Sequence, residues 1–296
     1  MSNFFSARRR LRGFTLVEMV IVIVITGIIG AIVAVFIRVP VQAYVDVTAR
    51  AALADTADTA ARRLTRDVRL ALPNSVRVSA NGQYLELLLT RTGGRYLSDS
   101  DPPGLGEVLG FDPTRTYTSS FVVVGAMPAD ALGTRQAIRA GDQVVVYNLG
   151  TAYTPNDAYA CSAATGCNRA IVTAVSGNVV TLKDPPFAQL PAPQPSPSNR
   201  FQVVSTPVTY ACNLTDGTLT RYAGYAIQAS QPVVAEAAPL LKGALLARQV
   251  AGCRFSYGIL ANVQSGLVNI DLSLGVANSN TGMLRLVQQV QARNTP

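Results

Sequence analysis

Hydrophobic and polar positions divide this chain into three stretches with different periods. The first is a long apolar run, FTLVEMVIVIVITGIIGAIVAVFI, from Phe14 to Ile37. It is 24 residues long, and about 20 suffice to span a bilayer as a helix. No charge falls between Met19 and Ile37. A core helix of a soluble domain keeps a polar face, and this run has none. Beyond it the period becomes that of an amphipathic helix. Val41, Tyr44, Val47, Ala57, Ala61, Leu64, Val68 and Leu72 recur mostly three or four apart. Asp46 with Arg50 and Asp58 with Arg62 stand four apart on the other side. Pro73-Asn74 is a stop signal. A continuous helix from Phe14 to Leu72 would measure about 90 Å. Pro40 predicts a kink, and Gly27 and Gly30 weaken the helix within the apolar part.

After Pro73 the pattern shortens to that of strands. The segments expected as strands are Gln83–Thr90, Phe121–Ala126, Gln143–Asn148, Ala170–Val175, Val179–Lys183, Phe201–Val208, Leu219–Tyr225, Arg254–Gly258, Leu267–Leu274 and Arg285–Ala292. Ser176-Gly177-Asn178 reads as a hairpin turn. In Leu267–Leu274 the residues Val268, Ile270, Leu272 and Leu274 should face a core, with Asn269, Asp271 and Ser273 outward. Pro239–Val250 fits a second helix or a strand. Six prolines between Asp184 and Asn199 mark a long surface loop or a linker between subdomains. The expected fold class is α+β, with a long N-terminal helix whose second half lies on a β-rich domain.

Composition narrows the chemistry. The net charge is +8. Arg8, Arg9, Arg10 and Arg12 contribute four of those charges before residue 13, so removing that segment leaves +4. Arg62, Arg63, Arg66 and Arg69 share one helix, with Asp58 and Asp67 offsetting part of their charge. A nucleic-acid partner is therefore not expected. There is no histidine, which excludes Ser-His-Asp and Cys-His nucleophile pairs and His-ligated metals. Lys183 and Lys242 are the only lysines and no GxxxxGK[ST] loop is present, so the chain has no P-loop motor. No cofactor or metal is expected and no enzymatic constellation is visible. Ser98-Asp99-Ser100-Asp101 could offer oxygens to calcium but lacks EF-hand spacing, and a solvated loop is the simpler reading. Cys161, Cys167, Cys212 and Cys253 show no CxxC pattern and suit an oxidising compartment. Of three pairings, Cys161 with Cys167 and Cys212 with Cys253 is preferred from sequence proximity and strand placement.

The N-terminus reverses the order of a secretory signal. Such a signal ends its apolar stretch at a small-residue cleavage site, whereas here Gly13 precedes the apolar run. Cutting after Gly13 would remove the basic leader and keep the helix. The arginines would hold the leader in the cytoplasm and send the C-terminal domain outward. Glu18 alone interrupts the apolar residues. A carboxylate at that depth costs about 2.5–3.5 kcal/mol on insertion scales and normally has a partner. Cutting would create an amine at Phe14, and a neighbouring copy could present it to Glu18. Snorkelling of Glu18 to the interface is the alternative.

The segment GFTLVEMVIVIVITGIIGAI, together with the basic leader, resembles the N-terminal signature of type IV prepilins and type II secretion pseudopilins. The resemblance implies cleavage between Gly13 and Phe14 by a prepilin peptidase, N-methylation of Phe14 by the same enzyme, and an assembly role for Glu18. One class of tip pseudopilin lacks this glutamate, and here it is present. The following stretch, IRVPVQAYVDVTARAALADTADTAARRLTRDVRLALPNSVRV, resembles MSHA-type pilus biogenesis minor pilins of the MshO kind. The organisation implied is a leader over 1–13, a membrane half of the helix over 14–38, a stem over 39–72 and a periplasmic β-rich domain over 73–296. The expected setting is the bacterial inner membrane. The expected partners are the peptidase, other pilins or pseudopilins, and an assembly platform driven by a separate ATPase. A minor pilin is the leading expectation and a type II pseudopilin the alternative. A DNA-uptake pilin and an anchored periplasmic enzyme rank behind them.

Overall fold

The computed structural model describes residues 13–130, 136–235, 237–259, 265–275 and 282–296. The leader expected over 1–13 lies outside them apart from Gly13. The chain divides into two units, Met1–Ala51 and Ala52–Pro296. One helix, α1 (Leu16–Arg69), runs from the first into the second.

In the first unit, the Val- and Ile-rich sequence would suit a strand in water. A helix instead satisfies every backbone group internally, which an apolar medium requires. Helical assignment continues through Gly27, Gly30 and Pro40 without an unwound stretch. Among the described residues, α1 is the one helix long and apolar enough to cross a membrane.

Among the described residues, the second unit contains the last turns of α1 and twelve strands. They are β1 (Arg77–Val78), β2 (Tyr84–Tyr96), β3 (Ser120–Val124), β4 (Gln143–Val146), β5 (Arg169–Ser176), β6 (Val179–Lys183), β7 (Arg200–Asn213), β8 (Thr218–Ala223), β9 (Gly243–Arg248), β10 (Val250–Ile259), β11 (Ser265–Leu274) and β12 (Leu284–Arg293). Each of the ten expected strands coincides with an observed one. Pro239–Val250, open between helix and strand, contains β9 and the first residue of β10. The helix ends at Arg69 and not at Leu72. Residues past its end leave the helical ladder to join β2: the Leu72 amide donates to the Leu88 carbonyl (2.7 Å) and the Thr90 amide to the Leu70 carbonyl (2.9 Å).

All pairings are antiparallel. The larger sheet runs β1-β2-β3-β6-β5-β4-β7-β8-β9, and β2 also pairs with β7. The path β2-β3-β6-β5-β4-β7 therefore returns to β2 and closes a six-stranded barrel, which removes strand edges. Phe121, Phe201, Val144, Val172 and Leu182 are buried in one cluster from these strands. The second sheet is β10-β11-β12. Val268, Ile270, Leu272 and Leu274 of β11 are buried, while Asn269, Asp271 and Ser273 are only partly covered.

The helix contributes Ala57, Ala60, Leu64 and Val68 to a core shared with β2, β7 and the second sheet. Two alanines among these four positions let backbone approach backbone closely. The proline-rich segment belongs to this same compact unit and does not separate two. Its Phe187 is buried among the barrel residues, and the Gln194 amide donates to the Asn156 side chain (2.8 Å).

Candidate functional site at the N-terminal helix

Residues 13–15 precede the helix. The Glu18 amide donates to Thr15 Oγ1 (3.3 Å) and the Met19 amide to the Thr15 carbonyl (3.2 Å). Thr15 is thus the N-cap, and Thr-x-x-Glu is the spacing of a capping box. Glu18 lies in the first turn, where the helix dipole favours a negative charge. Sequence reasoning singled out Glu18 but missed this second reason for an acid at that position.

Among the described residues, Gly13 has no conformational or steric reason to be glycine. A Cβ there would meet nothing within 4 Å, and the same holds at Gly27 and Gly30. Any requirement for glycine at 13 must come from a molecule that handles the segment. Phe14, at 79% relative exposure, is uncovered. So are the large apolar residues of the span from Leu16 to Ile37. An apolar surface this extensive needs lipid or a neighbouring chain to cover it.

Two carboxylates are buried in the second unit, and one of them anchors the stem. Asp67, 3% exposed, accepts from the Tyr210 hydroxyl and from Arg221 Nε, both at 2.7 Å. It thereby ties α1 to β7 and β8. Arg63, four residues earlier, stands 3.7 Å from its other oxygen. Burial raises the Tyr210 pKa, and the Asp67 charge adds to the effect. Glu86, fully buried, accepts from Arg77 Nε (2.6 Å) and the Tyr225 hydroxyl (2.8 Å). The Arg77 guanidinium also lies 3.7 Å from the Tyr159 ring centre, and Tyr159 donates to the Ser75 carbonyl (2.8 Å) just past the helix end. Neither carboxylate was a sequence candidate. Asp67 had been counted only against neighbouring arginines, although its position beside Leu64 and Val68 on the helical wheel was a usable signal. For Glu86 the chain offered no cue, because its partners lie 9 and 139 residues away.

Desolvation raises the Glu86 pKa above its ordinary 4.5, outweighing the lowering effect of Arg77 and Tyr225. A folded-state pKa above the unfolded one favours the protonated acid. Its contribution to stability is present below pH 4.5 and is lost as pH rises through the folded value. Relative to Glu86→Gln, the wild type is expected to lose stability as pH rises above 4.5, measured by urea unfolding at a series of pH values. A stability difference independent of pH would contradict this.

Cys161 is bonded to Cys167, and Cys212 to Cys253. The second bridge joins β7 to β10 and hence the two sheets. With a separation of 41 residues it contributes about 4 kcal/mol in the chain-entropy picture, against about 2 kcal/mol for the shorter loop. In the Ser98–Asp101 loop the carboxylates already have partners. Asp99 accepts from Arg115 and Tyr117. Asp101 accepts from Arg95 and from the Ser98 amide and hydroxyl, which lowers its pKa to about 2. No group of three or more metal-ligating side chains occurs among the described residues.

A long apolar N-terminal helix followed by a strand-rich domain is a pilin-like α+β arrangement. Residues 8–34 match the family described as the prokaryotic N-terminal methylation motif. That match takes in Gly13, Phe14, Thr15, Glu18 and most of the apolar run, and supports a protein of the type IV pilin or pseudopilin kind. It implies processing by a prepilin peptidase, assembly with other pilins and single-pass membrane anchoring. No curated protein and no solved structure matches the chain significantly.

Proposed function

We propose that this chain is a minor pilin, a non-enzymatic assembly subunit of an MSHA-type type IV pilus. It is trimmed after Gly13, methylated at Phe14 and packed into a filament through α1. The observation that carries this reading is the methylation motif on a helix whose apolar surface is uncovered in the single chain. Lipid covers that surface before assembly, and neighbouring helices cover it afterwards. Gly27 and Gly30, open on all sides, permit close helix approach. The domain reaches the periplasm because the basic leader stays in the cytoplasm. Within the filament, Glu18 receives the Phe14 amine of a neighbour, a charge pair strengthened by the low dielectric around it. Force for assembly comes from a separate ATPase. A pseudopilin of type II secretion would use the same N-terminal chemistry, and a secretin-linked export operon around the gene would favour it.

Glu18→Ala tests the assembly role. The variant is expected to insert and lose its leader normally, yet enter filaments at least about tenfold less, corresponding to about 1.4 kcal/mol. Immunoblots of sheared filaments against membranes give the ratio. Undiminished incorporation would remove Glu18 from the mechanism.

A further inference from the structure

The second sheet ends on a long strand with one open side. Among the described residues, β12 pairs with β11 and with no other strand. It is ten residues long, about 33 Å, and its outer side presents alternate main-chain amides and carbonyls. Folded domains normally blunt such an edge by shortening, bulging or covering it. The opposite end of the same sheet is covered, since the Phe255 amide of β10 donates to the Gly82 carbonyl (2.7 Å). In the larger sheet the end strand β1 has only two residues, and Gln231 Nε2 donates to its Arg77 carbonyl (3.4 Å). β12 has neither device. Its register with β11 runs from Leu284 to Arg293 without a bulge, and the strand holds no proline and no carboxylate.

The last turns of α1 flank this strand with positive charge. Thr65, Arg66 and Arg69 share a hollow with Gln288 of β12. Arg69 also borders a second hollow, of about 690 Å³, with Gln289 and Arg293. No carboxylate lines either one among the described residues. Arg66, Arg69 and Arg293 are exposed and form no ion pair among the described residues. The Thr65 Oγ1 is buried without a hydrogen-bond partner. We propose that the open side of β12 and the arginine face beside it form a docking groove for an extended acidic peptide segment of another protein, which adds a fourth strand to the second sheet. Main-chain bonds to the edge supply affinity in this mode, and alternate side chains supply specificity. Every second residue of an added strand lies on one face, about 6.7 Å apart. Acids at those positions face arginines, which bind carboxylates through paired hydrogen bonds. A nucleic acid or a lipid headgroup would satisfy the arginines but would leave the strand edge unpaired, so the two features together favour a peptide. The groove uses no residue of the apolar half of α1 and goes beyond the assembly reading.

Fluorescence anisotropy with the detergent-solubilised full-length chain tests it, using a labelled peptide of alternating valine and glutamate as the probe. This peptide is expected to bind at least about tenfold more tightly than one of equal length alternating valine and glutamine. N-methylation of its alternate backbone amides is expected to weaken it at least about tenfold, because an added strand needs those donors. Arg66→Gln combined with Arg69→Gln is expected to weaken the acidic peptide about tenfold and to leave the glutamine peptide within about twofold. Both arginines are exposed, and an unchanged thermal midpoint verifies that the variant folds. Absence of saturable binding would overturn the inference. So would equal binding of the N-methylated peptide, or stronger competition by single-stranded DNA or by anionic lipid nanodiscs than by the unlabelled acidic peptide. Either result would mark a surface that reads charge alone. None of these outcomes bears on filament entry, which the Glu18 experiment measures separately.

Discussion

Replacing Gly13 with leucine is expected to leave the basic leader on nearly every molecule. The folded chain gives no reason for this, because a side chain at 13 has open space around it. The effect must arise in a peptidase that binds the stretch ahead of the helix and tolerates no bulk beside the scissile bond. The retained leader then blocks assembly twice. In the proposed packing it occupies the amine that would meet Glu18, and it keeps four arginines at the end of the apolar helix. Mass spectrometry of the membrane fraction reads the outcome. A mature terminus at Phe14 in the variant would contradict the assigned cleavage site. Stability of the domain is expected to be unchanged, which separates a processing defect from misfolding.

Removing the carboxylate of Asp67 is expected to have the largest effect on the domain itself. Asp67→Ala leaves Arg221, whose side chain is 13% exposed, without its anion, and leaves the Tyr210 hydroxyl without its acceptor. Breaking one side of a buried pair costs about 3–5 kcal/mol, a fall in midpoint of order 10 °C for a unit of this size. Thermal unfolding of the detergent-solubilised chain measures it. Adding Arg221→Met removes the stranded charge and is expected to recover part of the loss, since the two residues are directly coupled. A loss below about 1 kcal/mol in the single variant would contradict a role for Asp67 in holding the stem to the sheet. That role connects the domain to function: a subunit drawn into a filament by its helix carries its domain along only if the junction resists shear.

The legibility of this fold followed the range of the interactions involved. Every strand with a clear period of two was visible, because alternation in Leu267–Leu274 or Val179–Lys183 is local. The apolar run and the order of Gly13, Phe14 and Glu18 were visible for the same reason. Gly243–Arg248 was ambiguous because β9 is exposed along most of its length, so burial imposed no alternation. The closure of the barrel was not visible. It depends on β2 meeting β7, a pairing such as Leu85 with Tyr210, and nothing near Leu85 encodes that register. Asp67 and Arg221, 154 residues apart, pose the same problem: a buried ion pair read one residue at a time looks like two surface charges. The helix end was displaced by competition, since the Leu72 amide and the Leu70 carbonyl bond to β2 and not to helical partners.

Intact-mass and N-terminal peptide analysis of the native protein, recovered from membranes and from sheared filaments, bears most directly on the central claim that the apolar helix survives processing as the docking element. The account predicts a single mature species in both fractions, beginning at Phe14 and carrying one methyl group on its amine. A chain that still bears its leader in filaments, or one that begins beyond Ile37, would contradict it.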